Sequence, residues 1–337
     1  MNTPDPAPVV DLIEAFRRSK TMFTALGMGV FDRLHGAAEN AATLASAVGA
    51  NPDAMERLLD ACACLDLLEK RGQTYTNTPL ADAYLFSGSP ISLCGYIRYS
   101  DAATYRCWTY LEDAVREGTH RWKQTFGHEG QIFDSFFVTE ASKRDFLRAM
   151  HGFGMLASPK VVTAFDLSRF QKIVDLGGAS GHLCITACET YPQMRGVVFD
   201  LPKVTWYARE HVANSAARER LEVVDGDFFH DELPAADLYA VGRILHDWSE
   251  PKIDRILARI AERLPPGGGL LVAEKLLNEN GVGPIGANMQ SLNMLVLCEG
   301  KERSVSQYRR ILERAGFTDV EGRRTGAYLD AVLAIRK

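Results

Sequence analysis

From Lys172 onward the chain alternates short apolar segments with amphipathic ones, and this alternation is the feature that most limits its fold. Apolar segments of strand length lie in KIVDLGG, GVVFDLP, LEVVDGDFF, ADLYAVGRIL and GGGLLVAEKLL, separated by helical segments such as HLCITACETYP and PKIDRILARIAERL. Strands that are apolar throughout and alternate with helices belong to a parallel sheet covered on both faces. The sequence therefore predicts an α/β fold, whose sheet is extended by the C-terminal helix SVSQYRRILERAG and strand YLDAVLAIR.

The N-terminal region has a different pattern, in which short helices precede a hairpin. Helical spacing of apolar residues runs from Val9 to Leu34, and a second helix is predicted from Ala42 to Val48. A third begins after Asn51-Pro52-Asp53 and runs through MERLLDACACLDLLEK, and RGQTYTNT predicts a hairpin or wing. Three helices and a wing predict a mostly helical winged-helix domain over residues 1–98, followed over residues 99–337 by a helical linker region and the sheet domain.

Charge and cysteine content restrict the partners and the location. The 38 Lys and Arg residues and 43 Asp and Glu residues give a net charge of -5, and the third helix, MERLLDACACLDLL, is apolar and acidic where a DNA-reading helix carries Arg or Lys. We therefore expect no nucleic-acid partner and assign the winged helix to packing or dimerisation. The 7 cysteines form no CxxC motif, and no leader-like segment or membrane-length apolar run is present. A cytoplasmic protein without membrane contact is expected.

Aromatic side chains are concentrated in the helical segments between residues 96 and 165. We expect most of them to pack between elements, and some to line a pocket for a flat substrate. They are Tyr96, Tyr99, Tyr105, Trp108, Tyr110, Trp122, Phe126, Phe133, Phe136, Phe137, Phe146 and Phe153.

A glycine-rich turn, Asp175-Leu176-Gly177-Gly178-Ala179-Ser180-Gly181, follows the first predicted strand of the sheet. In this fold class the backbone approaches a ligand closely at such a turn. The dinucleotide fingerprint GxGxxG does not fit, because from Gly177 it requires glycine at Ala179 and His182. A nicotinamide oxidoreductase is therefore disfavoured. An acid that ends the strand before a tight turn of small residues resembles the site at which class I methyltransferases hold S-adenosylmethionine, a cofactor without a pyrophosphate.

Two further acids follow the next strands. Asp200 ends the strand in VVFDLP, where a carboxylate can accept both hydroxyls of a ribose. Asp227 follows the strand in GDFF, where it can accept the amino hydrogens of adenine while Phe228 packs on the ring. Each acid alone is weak evidence, but three at successive strand ends favour a nucleoside-containing cofactor.

A His246-Asp247 doublet follows the fourth strand, at the carboxyl edge where open α/β sheets bind ligands. A neutral imidazole there can accept a proton from a bound hydroxyl or amine. Two other interpretations are a structural histidine bonded to the backbone and a metal-binding His-Asp pair. The remaining histidines show no clustered ligand spacing, so no metal is expected.

Several motifs together resemble the plant-type and bacterial small-molecule O-methyltransferase family. They are IVDLGGASG, VFDLP, GDFF, LHDWSE, VAEKLL and EGKERS, in this order and spacing. TYRCWTYLEDAVREG, SLNMLVLCEGKER and AGFTDVEGRRTGAYLDAVLA are similar to the acetylserotonin O-methyltransferase branch. The resemblance covers nearly the whole chain. It implies a Rossmann-like domain that uses S-adenosyl-L-methionine and releases S-adenosyl-L-homocysteine, and a homodimer formed through the N-terminal domain.

The resemblance also implies the site residues. His246 would be the general base, flanked and oriented by Glu274 and Glu302. The implied cofactor contacts are Gly177, Gly178, Asp200, Leu201, Gly226, Asp227, Phe228 and Arg243. The implied acceptor contacts are Asp247, Asn293, Met150 and Met289.

The chain departs from the family pattern at two positions. Ala179 replaces a glycine common in the turn, a change the backbone can tolerate. Leu297 stands where the animal acetylserotonin enzymes carry a polar amide, so recognition of an indole substrate does not transfer.

The expected reaction is methylation of a hydroxyl on a small, aromatic molecule. Methylation of a nitrogen or sulfur on the same scaffold, and cofactor binding without methyl transfer, are the alternatives. His246, Glu274 and Glu302 together argue against the non-methylating alternative. A transcription regulator would need a basic surface that the third helix does not supply.

Overall fold

A computed structural model describes residues 3–127 and 140–337. Three of the aromatic positions named above, Phe133, Phe136 and Phe137, lie outside the described residues. The chain divides into two compact units, with the division between Ala103 and Thr104.

The first unit combines short helices with a small sheet. Its helices are α1 (Ala7–Gly27), α2 (Val30–Leu34), α3 (Ala41–Val48), α4 (Pro52–Cys64), α5 (Pro79–Tyr84) and α6 (Cys94–Tyr99), and its strands are β1 (Glu39–Asn40), β2 (Leu68–Arg71) and β3 (Thr74–Asn77). A turn of π-helix from Ser100 to Thr104 follows α6. The predicted wing is confirmed: β2 and β3 form an antiparallel hairpin, and β1 pairs with β3.

Two helix boundaries in this unit differ from the sequence-based expectation. The helix expected from Val9 to Leu34 is broken after Gly27, because Gly29 adopts a left-handed conformation at φ 72° before α2 begins. The helix after Asn51 starts as expected, with the Asn51 side chain accepting a hydrogen bond from the backbone N–H of Ala54. It ends at Cys64, and the final LEK of the predicted helix lies instead in strand β2.

The second unit begins with short helices and continues as the alternating α/β domain. Its helices are α7 (Tyr105–Trp108), α8 (Leu111–Glu117), α9 (Trp122–Phe126), α10 (Glu140–Val162), α11 (His182–Thr190), α12 (Pro202–Asn214), α13 (Glu250–Arg263), α14 (Ile285–Leu297) and α15 (Val305–Arg314). Its strands are β4 (Lys172–Leu176), β5 (Arg195–Asp200), β6 (Leu221–Asp225), β7 (Leu238–Gly242), β8 (Gly269–Glu274), β9 (Leu276–Leu277), β10 (Arg303–Ser304), β11 (Phe317–Arg323) and β12 (Asp330–Arg336).

The main sheet in the described part of the chain has the strand order β11-β12-β8-β7-β4-β5-β6. The pairs from β8 to β6 are parallel, as predicted, and both faces of these strands are covered by apolar clusters. The last two strands run antiparallel, with Asp330 paired to Glu274 and Phe317 paired to Arg336. Strand β11 was not predicted because FTDVEGR is an edge strand that buries only Phe317 and Val320.

The helices on the sheet are amphipathic. In α13, Ile253, Ile256, Leu257 and Ile260 recur at helical spacing and are buried at 1% exposure or less. Among residues 3–127 and 140–337, no helix combines the length and the apolarity that crossing a membrane requires.

The parallel topology places the candidate site. Strands β4, β5, β6, β7 and β8 all end at one edge, since parallel strands share a direction. Asp200 and Glu274 are the last residues of β5 and β8 at this edge. The glycine turn, Asp227 and the segment around His246 follow β4, β6 and β7. This edge is where open α/β sheets bind their ligands.

Candidate active site

The turn between β4 and α11 is held in an unusual backbone conformation. Gly177, Ala179 and Gly181 have φ values of 68°, 51° and 77°, in the left-handed region. A Cβ atom added at Gly177 would lie 2.5 Å from Cδ1 of Ile244 and 3.5 Å from the ring of Phe228. The turn, the loop after β6 and the loop after β7 therefore meet at Gly177 and form a cradle that a side chain there would fill.

Asp200 at the end of β5 is joined to this turn. Its Oδ2 accepts a hydrogen bond from the N–H of Ala179 at 2.8 Å, and its Oδ1 accepts one from the N–H of Leu201 at 2.7 Å. Burial raises the pKa of Asp200 to about 6. Each carboxylate oxygen can accept a second hydrogen bond, so Asp200 could hold two ribose hydroxyls while it fixes the turn.

The segment after β6 lies beside Asp200. The N–H of Gly226 donates to the carbonyl oxygen of Asp200 at 2.9 Å, and a Cβ atom at Gly226 would lie 2.2 Å from the ring of Phe199. Asp227 accepts a hydrogen bond from the N–H of Phe229 through Oδ1 at 2.8 Å, and its Oδ2 lies 2.9 Å from Nδ1 of His230. The Phe228 ring and the Asp227 carboxylate could thus hold an adenine at this end of the edge.

The first acid, Asp175, is inside the domain. It is 2% exposed, and its Oδ2 accepts a hydrogen bond from the N–H of Cys184 at 3.3 Å. Burial raises its pKa to about 7. A Cβ atom at Gly178 would lie 2.9 Å from the same oxygen, so the glycine leaves room for the carboxyl group.

Arg243 begins the segment that leads to His246. Its backbone φ of 58° is unusual for a residue other than glycine, and such strain is found where the surrounding structure fixes a functional loop. Its N–H donates to the carbonyl oxygen of Ala273 at 3.0 Å. Its guanidinium lies 5.9 Å from the ring centroid of Phe153 on α10.

His246 lies in a short 3-10 helix from Leu245 to Asp247 and is 2% exposed. Its Nδ1 is 2.7 Å from Oε1 of Glu302, and its Nε2 is 3.5 Å from Oδ1 of Asp247. Burial raises the pKa of Glu302 to about 8 and also raises the pKa of Asp247. The arrangement of an imidazole with an acid on its Nδ1 side suits proton transfer at Nε2.

Glu274 holds the main chain of this segment, whereas Glu302 holds the ring. Oε1 of Glu274 accepts hydrogen bonds from the N–H groups of Ile244 at 3.2 Å and His246 at 3.0 Å. Oε2 of Glu274 accepts one from the hydroxyl of Tyr308. Atoms of His246, Glu274 and Glu302 that could bind a metal lie within 4.8 Å of one another. Glu274 accepts three hydrogen bonds from protein groups, two on Oε1 and one on Oε2, so its carboxylate is partnered without a cation.

The residues expected to contact the acceptor lie on separate elements. Asn293 on α14 is 9% exposed, and its Oδ1 accepts a hydrogen bond from Nε1–H of Trp108 at 2.7 Å. Met289 lies one turn earlier on α14 and is 49% exposed, and Met150 is half-buried on α10. Asp247 also accepts a weak hydrogen bond from the thiol of Cys298. Of these four residues, Asp247 approaches the His246 ring, with its Oδ1 at 3.5 Å from Nε2.

Leu297, the second departure from the family pattern, is 2% exposed at the end of α14. Its carbonyl oxygen accepts a hydrogen bond from Nε1–H of Trp122 at 2.7 Å. Its side chain therefore belongs to the packing of the second unit.

Two residues at this site were not identified from the sequence, and a third, Trp108, was named only among the aromatic residues. Tyr308 could have been noticed, since a buried tyrosine hydroxyl needs a partner, but its partner Glu274 is 34 residues away. Gly300 lies in the EGKERS motif, and a Cβ atom there would lie 2.3 Å from the carbonyl oxygen of His246. Trp108 was one of many aromatic residues, and nothing in the sequence connects it to Asn293.

Comparison with known proteins places the chain among methyl-transferring enzymes. Residues 108–318 match a family model described as an O-methyltransferase domain, and residues 10–87 match one described as an O-methyltransferase dimerisation domain. Human acetylserotonin O-methyltransferase is 41% identical over 331 residues, which cover 96% of this chain and 96% of that protein. The human "probable bifunctional dTTP/UTP pyrophosphatase/methyltransferase protein" is 43% identical over 336 residues, which cover 99% of this chain. This chain spans 54% of the length of that relative.

A solved structure agrees with this assignment. Human N-acetylserotonin methyltransferase in complex with S-adenosylmethionine has a TM-score of 0.92 and 40% identity, covering 100% of this chain and 99% of that one. These findings confirm the predicted Rossmann-like fold with an N-terminal dimerisation domain, and the predicted cofactor. The cradle at Gly177 and the acids at the strand ends fit that cofactor. The chain belongs to the S-adenosylmethionine-dependent O-methyltransferase family.

Proposed function

We propose that this protein methylates a hydroxyl of a small aromatic molecule and that His246 is the general base. The observation that supports the proposal best is the 2.7 Å contact between Nδ1 of His246 and Glu302 at the edge of the sheet. When Glu302 is ionised it accepts a hydrogen bond from Nδ1–H, and this tautomer leaves the lone pair of Nε2 available for a substrate proton.

The proposed cofactor site follows the carboxyl edge of the sheet. Gly177 and Gly178 would hold the methionine part, Asp200 the ribose, and Asp227 with Phe228 the adenine. Leu201, Gly226 and Arg243 complete the proposed set. When bound, the cofactor supplies an electrophilic methyl group on a sulfonium.

The task of His246 is to remove the acceptor proton during attack. A phenol with a pKa of about 10 and a free imidazole with a pKa of about 6.5 differ by roughly 4.8 kcal/mol, so complete deprotonation beforehand is unfavourable. Proton removal that accompanies attack avoids this cost, and Glu302 stabilises the imidazolium as it forms. Glu274 keeps the segment around His246 in place through two main-chain hydrogen bonds.

The proposal of an aromatic acceptor rests on the residues near the site and on the relatives. Asp247, Asn293, Met150 and Met289 are the proposed acceptor contacts, and Trp108, bonded to Asn293, adds an aromatic surface. The name of the human relative gives acetylserotonin, a hydroxyindole, as its substrate. Leu297 replaces the polar amide of the animal acetylserotonin enzymes, and its side chain is buried, so we propose the wider class of small hydroxyaromatic molecules.

We also propose a homodimer formed through the N-terminal unit, without nucleic-acid binding, in the cytoplasm. Helix α1 exposes large apolar residues near its start: Val9, Val10, Leu12, Ile13 and Phe16 are each at least 47% exposed. A second copy of the chain is the proposed cover for this surface. The seven free cysteines support a reducing compartment. Light scattering of the Leu12→Glu variant tests the dimer, with Lys123→Glu in the second unit as the control. We expect Leu12→Glu to be monomeric and Lys123→Glu to be dimeric, and a Leu12→Glu protein that remains dimeric contradicts the proposal.

A methyl-transfer assay with matched acceptors tests the function. Phenols, aromatic amines and thiols of similar size are compared, and transfer to the phenols alone is expected. Replacing His246 with alanine should lower kcat by about 10² to 10⁴-fold and leave the affinity for S-adenosylhomocysteine unchanged, because the base acts only in the transition state. A comparable loss of cofactor affinity would mean that His246 is structural. Transfer to amines or thiols would overturn the acceptor class.

A further inference from the structure

Two reciprocal hydrogen bonds join helix α10 to the glycine turn. From α10, His151 contacts the hydroxyl of Ser180 through Nδ1 at 2.9 Å. In the second hydrogen bond the serine is on α10 and the histidine is not: the hydroxyl of Ser158 lies 2.8 Å from Nδ1 of His182, the first residue of α11. We call these four residues the His–Ser clamp. The two α10 residues are seven positions apart, or about two helical turns, and so lie on one face of the helix.

The clamp brings the backbone of α10 directly against an imidazole ring. Gly154 lies midway between His151 and Ser158, and a Cβ atom there would lie 2.2 Å from Cδ2 of His182 and 2.4 Å from its Nε2. Both serines are buried, at 1% exposure or less. The helix therefore restricts the His182 ring from one side while Ser158 fixes its orientation.

A third histidine extends the cluster to helix α12. The ring of His211 stacks on that of His151 with a centroid distance of 4.0 Å, and Tyr207 contacts both rings edge-on. Burial lowers the pKa of His151 to about 4 and that of His182 to about 3, so both are neutral at pH 7. Neutral rings suit a turn that would face a positively charged sulfonium, because they add no repulsion.

The turn requires such support because its conformation is strained. Ala179 has a φ of 51°, and left-handed backbone is unfavourable for a residue with a Cβ atom. A strained segment persists only where its surroundings fix it. Asp200 fixes the turn from β5 through the N–H of Ala179, and the clamp fixes it from α10 through Ser180 and His182.

We propose that His151 and Ser158 are positioning residues for cofactor binding, which act by holding Ser180 and His182 and so the glycine turn in its binding conformation. This inference rests on the proposed placement of the cofactor at that turn. The hydrogen bonds of the clamp lead to Ser180 and His182, whereas His246 is bonded to Glu302. Its loss should therefore raise Kd for the cofactor and leave kcat at saturating cofactor largely unchanged.

The test measures Kd for S-adenosylhomocysteine by calorimetry, together with thermal stability and kcat. His151→Leu is expected to raise Kd about tenfold, the effect of one buried hydrogen bond. His151→Asn should recover most of this affinity, since its amide places a polar atom where Nδ1 was. The control is Val161→Ala, which trims a buried side chain on the same helix and leaves both hydrogen bonds intact. Equal weakening by this control would overturn the clamp.

A double-mutant comparison isolates the pair. His151→Leu combined with Ser180→Ala should bind no more weakly than the worse single variant, because both remove the same hydrogen bond. Losses that add would overturn the proposal. Asp200→Asn distinguishes failure of the proposed cofactor placement from failure of the clamp. If it leaves Kd unchanged, the cofactor placement is wrong; if it weakens binding while His151→Leu and Ser158→Ala do not, the placement stands and the clamp alone is wrong.

Discussion

Glu302 binds His246 with one carboxylate oxygen and leaves the other without a hydrogen bond. Oε1 is 2.7 Å from Nδ1 of His246, and Oε2 is buried with no hydrogen-bond partner among the described residues. An unpartnered buried oxygen disfavours the ionised form, consistent with the rise in the pKa of Glu302 to about 8. The protonation state of Glu302 therefore decides which nitrogen of His246 carries a hydrogen.

The first prediction concerns the pH dependence of catalysis. Protonated Glu302 donates to Nδ1, which requires the tautomer with hydrogen on Nε2 and prevents His246 from accepting a proton there. Ionised Glu302 accepts from Nδ1–H and frees Nε2. We expect kcat to rise with pH through about 8, as Glu302 loses its proton. Single-turnover rates from pH 6 to 10 measure this rise.

Glu302→Gln provides the control for that profile. The amide cannot ionise, so the rise near pH 8 should disappear, and kcat at pH 9 should fall by about 10- to 100-fold. A Gln variant that keeps the wild-type pH profile would show that another group titrates. Cofactor affinity should change little in this variant, because the hydrogen bond that Glu302 makes is to the ring of His246.

The second prediction concerns Glu274 and stability. Glu274→Ala leaves the buried N–H groups of Ile244 and His246 unpaired, and we expect the free energy of unfolding to fall by about 2 to 4 kcal/mol. Tyr308→Phe removes one hydrogen bond and should cost about 1 kcal/mol. Glu274→Gln keeps a carbonyl oxygen for the two N–H groups and should lie within about 1 kcal/mol of the wild type. Urea unfolding measures all three, and an Ala variant as stable as the Gln variant contradicts the assignment.

The sequence predicts the position of this site better than its internal contacts. Asp200, Asp227 and His246 each follow an apolar strand, and parallel topology brings the ends of those strands to one edge. The partner of each side chain depends on tertiary packing. Glu274 and Tyr308 are 34 residues apart, and Trp108 and Asn293 are 185 residues apart, with no periodicity linking either pair.

The errors in the predicted fold have similar causes. Apolar spacing continues through Gly29, so periodicity alone does not show that this glycine turns left-handed and divides the helix. Strand β11 (Phe317–Arg323) carries mostly exposed polar residues, since it pairs with a neighbour only on one side. The strand belongs to the sheet because it pairs with β12, and its composition alone does not indicate this.

The third prediction concerns Gly300. A Cβ atom there would lie 2.3 Å from the carbonyl oxygen of His246 and 2.7 Å from that of Trp248, both backbone atoms that cannot rotate away. Gly300→Ala should displace the His246 segment and lower kcat by at least about tenfold. Gly286→Ala is the matched control, because its Cβ atom would meet only Lys275 Nζ at an ordinary 3.5 Å. Similar kcat values for the two variants would show that the position of His246 tolerates this shift.

The fourth prediction concerns Ala179, where the chain departs from the glycine common in its family. Glycine adopts a φ of 51° without the clash of a Cβ atom, so Ala179→Gly relieves about 1 kcal/mol of strain, partly offset by the greater entropy of the unfolded chain. We expect the free energy of unfolding to rise by about 0.5 kcal/mol. Ala187→Gly, buried within helix α11, should lower it by about 1 kcal/mol or more, since the same exchange there only removes packing and helix propensity.

Cofactor affinity completes the test of Ala179. The contact that joins this residue to Asp200 is made by its N–H, which glycine retains, so Kd for S-adenosylhomocysteine should stay within about twofold of the wild type. Destabilisation by Ala179→Gly would mean that the alanine methyl group packs favourably enough to outweigh its strain. A large loss of affinity at unchanged stability would mean that the alanine, by limiting the backbone, preorganises the turn for its ligand.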